Sequence, residues 1–81
     1  MGMLRVLSQL GDERVEWDDH SAANGDHEAS AAIREAERIF AAQRAKGSMA
    51  FKIEKGHVPT RLDQFDPGAE QIVIVPRVVG G

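Results

Sequence analysis

Apolar and polar positions change rhythm several times along this chain, and each change predicts an element. From Met3 to Leu10, Leu4, Val6 and Leu10 share one parity, with Ser8 as the interruption. A period of two is the signature of a strand. Gly11-Asp12-Glu13 is turn chemistry. Arg14-Val15-Glu16-Trp17-Asp18 then alternates without an error, which predicts a half-buried antiparallel strand and completes an N-terminal β-hairpin. Trp17, the single tryptophan, is expected to pack into the core beneath a helix. Asp18 to Asp26 is polar and irregular, with Asn24-Gly25 as a turn.

From His27 to Lys46 the period becomes helical. Ala29, Ala32, Ile33, Ala36, Ile39 and Phe40 fall within one stripe, while Arg34, Glu35, Arg38 and Ala42 face away. Asp26 is placed to cap this helix, and Glu28 suits the positive end of its dipole. Arg44 and Lys46 suit the carboxyl end, and Gly47 is a stop signal.

Ser48 to Glu54 alternates again, with Met49, Phe51 and Ile53 on one side. Lys55-Gly56-His57 is a tight connection. Val58 to Leu62 reads as a short edge strand, because Pro59 cannot donate to a ladder. The stretch from Asp63 to Glu70 centres on the turn dipeptide Pro67-Gly68, with Phe65 tucked inward. Gln71 to Val75 closes the sheet. Its apolar run needs neighbours on both sides, which places it centrally beside the first strand.

The order β-β-α-β-(β)-β predicts a two-layer α+β domain. A mixed sheet of four to five strands carries one long helix packed across one face. Trp17, Ile33, Phe40, Phe51 and Ile74 are expected to meet in its core. The domain is expected to span residues 1–76, with 77–81 as a tail. The start, Met1-Gly2-Met3, reads either as a cloning remnant or as a second start codon.

Composition narrows the function. The chain has 81 residues, 42% apolar and 28% charged, with no cysteine and a net charge of −3. That is an ordinary globule of modest stability. Without cysteine there is no disulfide framework and no thiolate site, in keeping with a cytoplasmic location. The negative charge and the lack of a basic patch argue against nucleic acid as partner. No apolar run approaches the roughly 18 residues needed to span a bilayer, and the start lacks a signal-peptide layout.

Candidate catalytic chemistry is sparse. Asp18, Asp19, His20, Asp26, His27 and Glu28 are rich in ligand atoms, but their spacing matches no metal-binding pattern, and no metal site is expected. His57 stands alone in a turn. Ser8, Ser21, Ser30 and Ser48 have no triad context, and the glycines end elements rather than cradle a phosphate. The chain is not expected to be an enzyme.

What remains is the end, Ile72-Val-Ile-Val-Pro-Arg-Val-Val-Gly-Gly81. At ordinary glycine usage, two terminal glycines arise by chance roughly once in two hundred chains. Glycine offers nothing to pack and the most freedom to thread a narrow channel, so Gly80 and Gly81 are expected to be mobile and outside the core. Pro76 would end the ladder and release the tail. From Arg77 to Gly81 it would reach about 17 Å when extended.

The element order with this Gly-Gly end resembles the ubiquitin-like β-grasp proteins. The likeness is to prokaryotic sulfur carriers of thiamine and molybdopterin synthesis and to archaeal small modifiers. It is carried by Ser48 to Pro59, which resembles that family's strand-turn-strand, and by Glu70 to Gly81, which resembles its last strand, proline and diglycine. Where the family has Gly-Asp before the last strand, this chain has Pro67-Gly68-Ala69-Glu70. Its helix is longer, and the acidic loop at 18–28 has no counterpart.

The resemblance implies a carrier or modifier whose Gly81 carboxylate is activated and becomes a thiocarboxylate or an amide. Gly80 would be the pliant neighbour, and Arg77, Val78 and Val79 would contact the activating partner. That partner would be an E1-like adenylyltransferase, holding the ATP and Mg²⁺ that this chain does not itself bind. A JAB-type peptidase and target proteins would follow, and the chain would be a monomer. The alternative is a non-covalent adaptor on the same fold.

Overall fold

A computed structural model describes residues 2–7 and 11–76. It contains β1 (Gly2–Val6), β2 (Glu13–Trp17), α1 (Asp19–Ala23), α2 (His27–Ala45), β3 (Met49–Ile53), β4 (Thr60–Leu62) and β5 (Gln71–Val75). The strands form one sheet in the order β2-β1-β5-β3-β4. β1 pairs antiparallel with β2 and parallel with β5, while β3 pairs antiparallel with both β5 and β4. The long helix α2 packs across one face. This is an α+β domain of β-grasp-like topology, as the alternation and helical stripe predict.

The long helix begins and ends by recognisable chemistry. Asp26 Oδ1 accepts the backbone N–H groups of Glu28 and Ala29 at 2.9 and 3.2 Å, which satisfies two otherwise orphaned donors. At the far end, Gly47 N donates to Arg44 O and Ser48 N to Gln43 O. That is a Schellman closure, and it requires the positive φ of +87° that Gly47 adopts. Ser48 is buried there, with its hydroxyl on Gln43 Oε1 at 2.9 Å.

Between these ends, Ala29, Ala36, Ile39 and Phe40 are buried, with Ala32 and Ile33 packed beside them. Ala36, Ile39 and Phe40 share one core with Leu4, Val6, Trp17, Ala50, Ile72 and Ile74 from the sheet. β5 lies between β1 and β3 as its apolar run predicts, with Ile72 and Ile74 almost wholly buried.

Four expectations change. The first strand ends at Val6 and not Leu10; Leu7 leaves the ladder with β2, though its N–H still donates to Ile74 O. Ser8 to Leu10 lie outside the described residues. The segment read as irregular holds α1, because Asp18 Oδ1 accepts from His20 N and Ser21 N and starts a helical turn. β4 is only Thr60–Leu62, with Val58 83% exposed ahead of Pro59.

The fourth change concerns phase. Phe51 is not in the core, where β3 contributes Ala50 instead. Successive strand residues point to opposite faces, so Met49, Phe51 and Ile53 share the face away from α2. The period of two is legible in the sequence, but not which parity faces the helix.

The turn before β5 closes the far side of the core. Phe65 contacts both Trp17 and Phe40, with ring centroids 5.6 and 5.9 Å apart. Trp17 Nε1 donates to Pro67 O at 3.0 Å. Ala69, which no periodicity singled out, is buried beside them.

Candidate functional site

The residues that the sequence marks as functional, Arg77, Val78, Val79, Gly80 and Gly81, lie outside the described residues. Their attachment point is described. β5 is the central strand, and Val75 ends it opposite Met49. Pro76 follows without strand pairing. Val75 is 37% and Met49 41% exposed, so the point from which the chain continues is an apolar rim.

That rim is continuous with the face of the sheet that α2 leaves uncovered. Strand registers set one row straight across it. Arg14 lies opposite Arg5, Arg5 beside Val73, Val73 opposite Phe51, and Phe51 opposite Arg61. Val73 and Phe51 are half-buried by their neighbours, and Arg14 and Arg61 are exposed. An apolar centre is thus flanked by guanidinium groups at both ends. Arg5 is held by Asp12, with Nε to Oδ2 at 2.7 Å. Sequence reading missed this row, although the parity of each strand opposite to its core positions carried it.

The acidic stretch resolves into structural roles. Asp18 caps α1 and Asp26 caps α2, while His20, His27 and Glu28 are exposed. The Ser21 backbone N–H, followed by that side chain and His20, holds the Asp18 carboxyl below its usual range. Among the described residues there is no group of three or more His, Cys, Asp or Glu placed to hold a metal ion. His57 is exposed in its turn.

On the helix side, a shallow open groove of about 690 Å³ lies between the end of α2 and the segment after β4. Phe40 and Phe65 contribute apolar surface to it. Arg44 reaches Asp63 at 3.4 Å within its lining. Glu37 and Asp63 are the carboxylates of its lining. Elsewhere on α2, Arg38 clasps Glu35 through two nitrogens, which lowers the carboxyl and raises the guanidinium from their usual ranges. Among the described residues, no helix is long and apolar enough to cross a membrane.

No family model, curated protein or solved structure matches this chain.

Proposed function

We propose that this chain is a ubiquitin-like β-grasp carrier or modifier that works through the carboxylate of Gly81. The observation that carries the reading is the position of β5. It is the central strand, locked between β1 and β3, and it delivers Pro76 to an apolar rim formed with Met49. A partner that grips the uncovered face would therefore hold the root of the tail as well.

In the proposed chemistry a Gly81 carboxylate oxygen attacks the α-phosphorus of ATP and expels pyrophosphate. Hydrosulfide or a target amine then attacks the acyl carbon, expels AMP and loses a proton, leaving a thiocarboxylate or an amide respectively. ATP and Mg²⁺ belong to the E1-like partner in this scheme. The chain supplies the tail, with Gly80 as pliant neighbour and Arg77, Val78 and Val79 as contacts.

The test is ATP–pyrophosphate exchange and intact mass with an E1-like adenylyltransferase from the same host. The full chain should support exchange, and a variant lacking Gly80 and Gly81 should not. A folded deletion variant that still forms adducts overturns the proposal.

A second reading is a non-covalent adaptor. The half-exposed Met49 and Val75 on the uncovered face favour it. Partner binding that survives loss of both glycines, with no exchange by the full chain, would select it.

A further inference from the structure

The sheet has two edges, and they differ. β4 is three residues long and follows Pro59, which blunts it against further pairing. β2 is five residues, Glu13-Arg14-Val15-Glu16-Trp17, without proline, and among the described residues only β1 pairs with it. Exposed edges are usually protected by charge, and β2 carries three charged residues. Their signs alternate, however, and that alternation is selective.

We propose that β2 is a self-recognition edge. Two copies pair antiparallel through β2 about a two-fold axis at Val15, making one continuous sheet of ten strands from two sheets of five. In that register Arg14 of each copy lies opposite Glu16 of the other, on the uncovered face. Glu13 lies opposite Trp17 on the helix face, and both helices stay on one side of the joined sheet.

Charge excludes the other pairings. An axis at Arg14 sets arginine against arginine, and one at Glu16 sets glutamate against glutamate. Parallel in-register pairing does both. Like charges directly opposite one another are destabilising, whereas opposite charges favour the pair.

The intrachain neighbours point the same way. Arg14 faces Arg5 across β1, a like charge already engaged by Asp12, and Glu16 faces Met3. Among the described residues neither Arg14 nor Glu16 makes an ion pair within the chain. Both are exposed. The Val15-centred dimer supplies each with its counter-ion.

Sedimentation equilibrium of the full chain from micromolar to millimolar concentration tests this. A monomer–dimer equilibrium is expected, weakened by 1 M NaCl. Arg14→Glu and Glu16→Arg should each weaken it by at least about tenfold, since each change turns two attractive cross-strand pairs into repulsive ones. The double exchange, Arg14→Glu with Glu16→Arg, should restore it to within about threefold. Melting curves check that each exposed substitution leaves the fold intact. A wild-type chain that stays monomeric at 1 mM overturns the proposal, as do single variants that dimerise like the parent. A double exchange that fails to rescue also overturns it, because charge complementarity would then not be the organising feature.

Discussion

Gly2 lies flat against the indole of Trp17, its partner in the β1–β2 ladder, and a Cβ built at position 2 would overlap the ring atoms. The one large aromatic of the hairpin thus packs over a residue with no side chain. The indole Nε1, one of those ring atoms, also donates to Pro67 O, which anchors the ring in place. Gly2, which on sequence grounds alone reads as part of either a cloning remnant or a second start codon, is packed at the core's edge.

The Gly2→Ala substitution therefore overpacks a fixed ring. The expected loss is about 1–3 kcal/mol, the usual range for forcing an extra carbon into a filled site. Urea denaturation followed by Trp17 fluorescence reads it directly. A Gly2→Ala variant as stable as the parent would mean that the indole does not rest on this strand.

Phe40 and Phe51 make a matched pair for testing which face is the core. Phe40 is 4% exposed and touches Phe65, whereas Phe51 is only half-buried on the open face. Phe40→Ala should cost roughly 3–5 kcal/mol, which is most of the stability so small a domain has. Phe51→Ala should cost about 1–2 kcal/mol, because less apolar area is lost and water can enter the gap. Equal losses would place both rings in one core.

That pair also shows where sequence reading stopped. The helical stripe from Ala29 to Phe40 is long enough for its phase to be unambiguous, and the apolar run at Ile72–Val75 demands a central position. For a five-residue strand such as Met49–Ile53, both parities contain apolar residues. Larger side chains pointed to Phe51's face, but the close approach of α2 favoured Ala50. The short helix after Asp18 was hidden for a related reason: its start is a side-chain cap, and its five residues are too few to show a period. The proposed tail residues were legible as chemistry, and they lie outside the described residues.

The capping roles have their own check. Asp26→Ala removes an acceptor for two backbone donors of the long helix, and about 1 kcal/mol should be lost. Asp26→Asn or Asp26→Ser should recover most of it, since both keep the acceptor oxygen. If alanine and asparagine behave alike in thermal melts, the carboxylate does not cap α2.

The Glu35–Arg38 clasp gives a pH signature. Because Arg38 holds the Glu35 carboxyl below its usual range, the folded state binds that proton less readily than the unfolded chain does. Its contribution is complete above the unfolded pKa of about 4.3 and fades as pH falls through the lower folded value. The Tm difference between the parent and Glu35→Gln should accordingly be present at pH 7 and shrink below about pH 4. The site is solvent-exposed, so the difference should be small and should narrow in high salt. A difference that grows on acidification would reverse the assignment.

The proposed partner surface can be separated from the proposed reactive end by one substitution. Met49 stands opposite Val75 at the rim, on the face that α2 does not cover, and it is the more exposed of the two. Met49→Glu should leave stability within about 1 kcal/mol of the parent, since little buried area is removed. It should nevertheless weaken engagement by an E1-like partner, because a carboxylate then sits where an apolar contact is proposed. With Gly80 and Gly81 untouched, the expected kinetic pattern is a raised KM for the chain in ATP–pyrophosphate exchange and a kcat close to the parent's. Loss of both glycines should instead abolish kcat while the variant still competes for the partner's surface. If Met49→Glu exchanges like the parent at low chain concentration, the uncovered face is not where the partner binds.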